Sequence, residues 1–461
     1  MFDPDHRCMA LLALCTAYFM VILDATIVNT ALPAIGDELH VGVGTLQWIV
    51  NGYTLVFAAL LLTGGTLADR HGARRVFLIG IALFTAASLA CGLAPSAPAL
   101  VGARLVQGLG AALAVPASLA LMRAIYDDPG DRARAVGTWG AVAGIGAASG
   151  PIVGGLLTDT VGWRAVFVVN VPIGIAGAAL AVRHIRVRGS TYDHPLDVAG
   201  QALSLVALTT LTFGLIEAGS STWTNPLVLA MLAVAALAAA AFVVVERRSR
   251  APMLPRSLFS GPRFSAGNVV GLLINLGLYG QLFVINLAFQ QQRGWSPIQA
   301  GLAIVPEAAL LSVASIASSR LTARRGPRPA MFAGLGIGAL GLAGLAVLAA
   351  AAPYWALVVP LGLTGFGMAF VMPAATTAVV ESAPSGRAGL ASGVINTSRQ
   401  IGSVIGVALL GSVAASVGLQ ASLAIAAAAF ALGWVPLLIL EPLGLHTRDR
   451  VDAHLADRGA A

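Results

Sequence analysis

Four charged side chains fall inside long apolar stretches: Asp24, Arg104, Glu307 and Arg399. Asp24 stands in Leu23-Asp-Ala-Thr-Ile-Val-Asn29-Thr-Ala-Leu-Pro33. An ionised carboxylate in a membrane helix costs about 2.5–3.5 kcal/mol, so Asp24 is expected to face a cavity or a partner. Apolar surroundings disfavour its charged form, as a proton carrier requires; a structural pairing with arginine is the plainer alternative. Arg104, in Arg104-x-x-Gln107-Gly108, lies about 10 Å from the midplane at ~1.5 Å per residue, in the same half as Asp24. Contact between them is possible, and snorkelling to the surface is the other use of such an arginine. Glu307 and Arg399 fall near the midplane, and two unpaired charges there would together cost several kcal/mol. A Glu307–Arg399 pair is therefore expected, with Glu307 as a gating or structural partner. Asn29, Gln107, Asn275, Gln281, Asn286 and Asn396 add neutral polar groups that either line a pathway or join helices.

The elements that hold these residues are membrane helices. The chain is 57% hydrophobic and only 10% charged. Fourteen apolar runs are long enough to span, at roughly 9–31, 46–67, 76–94, 99–123, 134–157, 163–183, 197–217, 225–246, 263–289, 297–320, 329–351, 354–380, 389–414 and 417–441. The first lacks a small-residue cleavage site and contains Asp24, so it is read as a retained helix.

The net charge of +7 does not point to nucleic acid, because the arginines alternate by loop. One set of loops carries Arg70, Arg74 and Arg75; Arg183, Arg186 and Arg188; Arg247, Arg248 and Arg250; and Arg320, Arg324 and Arg325. The opposite loops hold only Arg164 and Arg293. This is the positive-inside bias, and it places both termini in the cytoplasm. The chain contains no lysine, which excludes a P-loop lysine and a lysine Schiff base. Cys8, Cys15 and Cys91 are scattered, and no metal or catalytic cluster is visible. No enzyme activity and no cofactor are expected.

The two halves echo each other at an offset of about 255 residues. Gly108, Gly110, Pro116 and Ala117 recur as Gly365, Gly367, Pro373 and Ala374, and Gly137, Gly146, Gly150 and Gly155 as Gly393, Gly402, Gly406 and Gly411. Two extra spans separate the repeats. The expected organisation is a six-helix bundle at 1–186, an inserted pair with a cytoplasmic linker at 187–262, a second bundle at 263–445 and a cytoplasmic tail at 446–461. The fifth run, Gly137 to Gly155, repeats glycine at spacing four through Gly146, Gly150 and Gly154, and Pro151 should bend it. Flat faces on a bent helix suit a sliding contact between halves. The loop Gly65-Thr-Leu-Ala-Asp69-Arg70-His-Gly72-Ala-Arg74 is expected to turn tightly and to latch, with Asp69 capping a helix or pairing across the halves.

Together, LDATIVNTALP, GGTLADRHGARR, RLVQG, GPIVGG and WRAVFVVNVPIG resemble the fourteen-helix drug:proton antiporter family of the major facilitator superfamily. Ala73 departs from the arginine often found there, and the second-half loop lacks an equivalent of Asp69. The resemblance implies two six-helix bundles rocking around a central cavity in a multi-pass bacterial inner membrane protein. It implies export of an amphiphilic drug or antibiotic, driven by inward proton flow along the proton gradient. It makes Asp24 the leading proton or substrate carboxylate and Arg104 its tuning partner. Gly65, Asp69, Arg70, Gly72 and Arg74 become the conformational latch, and Gly146, Gly150, Pro151, Gly154 and Gly155 the antiporter hinge. Export of a native metabolite, and less readily proton-coupled import, are the alternatives.

Overall fold

In a bilayer the backbone has no water to bond, so an apolar run of spanning length must satisfy its own N–H and C=O groups by coiling into a helix. The computed structural model describes residues 4–186, 197–249, 252–349, 352–384 and 387–439, and it is helical nearly throughout. Fourteen helices among the described residues are long and apolar enough to cross a membrane: His6–Leu39, Val43–His71, Ala73–Gly92, Ala97–Ile125, Gly130–Thr160, Ala165–His184, Val198–Ser220, Pro226–Arg248, Pro262–Gln292, Pro297–Arg325, Pro327–Leu348, Tyr354–Glu381, Ala388–Ser416 and Leu419–Ile439. They are numbered first to fourteenth below. The expected boundary at 187 and the tail at 446–461 lie outside the described residues.

The first helix continues eight residues past its expected end and carries Pro33 inside it. Its far end is tied down. Glu38 accepts a hydrogen bond from Trp163 Nε1 at 2.8 Å and pairs with Arg164, whose guanidinium lies 4.3 Å from the Trp163 ring centre. Cation, carboxylate and aromatic together hold a turn that hydropathy alone does not reach.

Helices one to six form one bundle, with the fourth packed on the second and third and the fifth on the first. Helices nine to fourteen repeat this, with the twelfth on the tenth and eleventh and the thirteenth on the ninth. The seventh and eighth pack on each other, and the seventh leans on the second and thirteenth from the side. Gln201 of the seventh fixes that contact, donating to the Ala59 carbonyl at 2.8 Å and accepting from Thr63.

The face where the first helix begins is here called proximal, and the opposite face distal. On the distal face the bundles close on each other through the fifth and tenth helices. The Pro151 carbonyl sits where a Cβ on Gly301 would be, and Gly155 lies against Pro297 and Ile298. Gln290 Nε2 donates to the Thr30 carbonyl at 3.0 Å, and Gln47 Nε2 reaches the carbonyls of Val407 and Ala408 at 2.8 and 2.7 Å. Toward the proximal face the fifth helix parts from the tenth: a Cβ at Gly137, Gly140 or Gly144 would meet open space. Other proximal contacts do cross: Arg123 covers Gly389, and Leu62 of the second helix packs on Gly393 of the thirteenth.

Candidate functional site

Asp24 and Arg104 meet, as their equal depth allows, and both are fully buried inside the first bundle. Arg104 and Gln107 are three residues apart, so one helical face presents both. Asp24 Oδ2 accepts from Arg104, while Oδ1 accepts from Gln107 Nε2 at 2.8 Å and from Asn170 Nδ2 at 2.9 Å. Arg104 also donates to Gln107 Oε1 at 2.7 Å and to the Ile49 carbonyl at 2.9 Å, and lies 4.5 Å from the Tyr53 ring centre. Gln107 Nε2 reaches Ser88 Oγ at 2.8 Å. Five helices thus contribute to one network, which satisfies both Asp24 oxygens and leaves Asn170 Oδ1 buried without a donor. Charge-assisted bonds on both carboxylate oxygens offset the desolvation of the pair. Asn170 stands inside the WRAVFVVNVPIG stretch but was not singled out as a site residue, and no motif marks Ser88.

The expected Glu307–Arg399 ion pair is not made among the described residues. Glu307 is bonded instead by Gln281 Nε2, at 3.3 Å. The Arg399 stem lies against Gly271, ten residues before Gln281 on the same ninth helix and so about 15 Å away along its axis. Depth counted from helix ends placed the two charges together, but helix register keeps them apart. Gln281 Oε1 is buried with no donor.

The cavity candidates divide. Asn29, Asn275 and Asn286 turn their amides back to carbonyls of their own helices, as Asn275 does to Gly271 at 2.8 Å. Asn396 does the same to Ser392 but offers its oxygen to Arg399 NH1 at 3.3 Å.

The antiporter motif is used differently from expectation. Gly146, Gly150 and Gly154 do not face the other bundle; they pack on the first helix, at Phe19, Thr26 and Thr30. Only Pro151 and Gly155 press on the tenth. One face of the fifth helix thus packs inside the bundle, and another meets the tenth helix at Pro151 and Gly155. At the latch, the close approach belongs to Gly64, where a Cβ would strike the Ala112 carbonyl, whereas Gly65 has ordinary contact with Pro116 at 3.8 Å. Gly72 turns the chain with φ of 89°. Asp69 is exposed, caps nothing at the third helix, and makes no ion pair across the halves among the described residues. Arg74 donates to the Val182 carbonyl at 3.0 Å, within its own bundle.

Sequence reasoning also passed over Asp159. This residue closes the fifth helix on the distal face and accepts from Ser296 Oγ at 2.8 Å and from the Ile298 amide at 3.1 Å, at the start of the tenth. Spacing alone gives no sign of it, because its partners are 137 and 139 residues away.

A family described as the Major Facilitator Superfamily matches residues 14–407 and again 267–454. The chain belongs to the Major Facilitator Superfamily. Within it, the chain is 40% identical to the methylenomycin A resistance protein of Streptomyces coelicolor, over 87% of this chain and 84% of that one. It is 37% identical to the tetracenomycin C resistance and export protein of Streptomyces glaucescens, over 88% and 76%. A POT family transporter solved with a thioalcohol-conjugated peptide shares the fold, with a TM-score of 0.71 at 15% identity over 95% of this chain and 96% of that one. This superfamily member is accordingly a multi-pass membrane protein of a transporter family.

Proposed function

We propose that this superfamily member is a proton-coupled efflux transporter. It exports drugs, antibiotics or related amphiphilic small molecules across a bacterial inner membrane by alternating access, with no cofactor beyond the proton gradient. The names of its relatives support the substrate class and the direction. The observation that carries the reading is the fifth helix, seated by one glycine face in its own bundle while Pro151 and Gly155 press on the tenth at the distal face only. A fifth–tenth contact confined to one end is what rocking bundles need. With the arginine-rich loops on the proximal side, that face is cytoplasmic, and the fifth–tenth seam parts toward it.

Glu307 and Gln281 are the place for the transported proton. The buried Gln281 oxygen lacks a donor, and a proton on Glu307 would supply one, closing a reciprocal acid–amide pair. Asp24 and Arg104 are the second coupling element. Asp24 has three donors to lose before it exchanges a proton, so any exchange there is tied to movement of the fourth and sixth helices. Everted membrane vesicles from a pump-deficient host test the proposal with a panel of chemically varied antibiotics. Uptake into vesicles should follow an imposed pH gradient and stop with a protonophore. Uptake indifferent to the protonophore would sink proton coupling.

A further inference from the structure

Arg399 is the one cation of the thirteenth helix, and no carboxylate pairs with it among the described residues. Its Nε is buried without an acceptor, and NH1 makes only the 3.3 Å bond to Asn396 Oδ1, which orients the guanidinium. Gly271 leaves room for its stem: a Cβ there would lie 3.3 Å from Arg399 Cγ.

The surroundings come from both bundles. Tyr279 of the ninth helix and Tyr18 of the first lie within electrostatic reach of Arg399. Tyr18 stacks on Trp139 of the fifth, with ring centres 3.5 Å apart and planes 4° from parallel. Trp139 is 7% exposed and its Nε1 also has no acceptor. Arginine and indole nitrogens donate and cannot accept, and a phenol can donate. Donors from both bundles thus lie within electrostatic reach of one another or stack on one that does, and two of them, Arg399 Nε and Trp139 Nε1, are buried and unanswered. The membrane carboxylates are engaged elsewhere, Asp24 by its own bundle and Glu307 by Gln281. What the cluster lacks is an acceptor with negative charge.

We infer that Arg399, with Tyr279 and the Tyr18–Trp139 stack nearby, is a subsite for the carboxylate of an aromatic or otherwise flat substrate. The guanidinium fork matches a carboxylate in shape, and the Tyr18–Trp139 stack offers a flat apolar wall beside it. This deepens the transport reading and rests on it. It predicts preference for amphiphilic acids over the corresponding esters and amines.

Equilibrium binding to the full chain in detergent tests the inference with three matched probes: 2-naphthoic acid, its methyl ester and 2-naphthylmethylamine. The acid should bind about tenfold more tightly than the ester, the amine most weakly. Arg399→Gln should remove the preference for the acid without changing ester binding, and Arg399→Lys should retain part of it. Ester binding also reports that each variant is folded; should Arg399→Gln fail to fold, Tyr279→Phe should still weaken the acid about threefold and spare the ester. Equal binding of acid and ester to the wild type would overturn the assignment, as would a uniform loss across all three probes in the variants. No proton gradient is present in detergent. Selective binding without export would therefore count against the proton-coupled pump alone, and export without acid selectivity against this subsite alone.

Discussion

Asp24 shows how far a residue can be read from sequence and where reading stops. Equal depth on two helices allowed its contact with Arg104 without requiring it, and the hydrogen bonds of Asn170 and Gln107 depend on side-chain direction, which depth does not give. Asp24→Asn keeps the shape and loses the charge, leaving the buried guanidinium of Arg104 without its counter-ion. Breaking a buried pair in this way costs about 3–5 kcal/mol, softened here by the remaining carbonyl and Gln107 contacts. Export driven by a pH gradient should fail and thermal stability should fall; normal pumping would make Asp24 dispensable to coupling. Glu307 and Arg399 were expected to pair, and the register of the ninth helix separates them instead. A double-mutant cycle with Glu307→Gln and Arg399→Gln should therefore give additive losses in stability, within about 0.5 kcal/mol. A coupling of 1 kcal/mol or more would show that the two meet in another conformation. Glu307→Gln by itself should retain substrate binding and lose proton-driven uptake.

Helix existence was legible because spanning length and hydropathy leave few options. Helix faces were less so. The glycine repeat of the fifth helix reads as a sliding surface, yet the structure spends Gly146, Gly150 and Gly154 on contact with the first helix. Spacing four gives a stripe but not the neighbour that fills it. The two classes of glycine should now separate by experiment. Gly150→Leu drives a side chain into Thr26 within one bundle, so it should cost about 1–3 kcal/mol or more of stability and lower expression. Gly155→Leu meets Pro297 and Ile298 of the other bundle, which can yield by opening the distal seam. Folding should survive there while cysteines near the distal end of the tenth helix become more reactive. Equal loss of expression in both variants would remove the distinction.

At the scale of the whole molecule, the arginine alternation and the internal repeat anticipated fourteen helices in two bundles with an inserted pair, because both signals average over many residues. The closure of the seam was not legible, since it rests on single contacts between residues far apart in the chain. Asp159 is the clearest of them: one side chain at the end of the fifth helix accepts from the hydroxyl of Ser296 and the backbone amide of Ile298, at the start of the tenth. Both bonds exist only while the distal face is closed, so they favour this conformation over its alternative. Asp159 is exposed, and water competes for it, which holds its contribution to about 1 kcal/mol despite the charge. That is enough to shift a two-state population several-fold. Asp159→Ala should therefore move the resting protein toward the distal-open state while leaving its melting behaviour nearly unchanged, because neither bundle loses an internal contact. Spin labels on the distal ends of the fifth and tenth helices, read by pulsed dipolar spectroscopy, would show the longer distance gaining weight. Asp159→Asn can still accept from both donors and should fall between the two. An unchanged distance distribution in Asp159→Ala would mean that the glycine contacts of Pro151, Gly155 and Gly301 hold the gate without help.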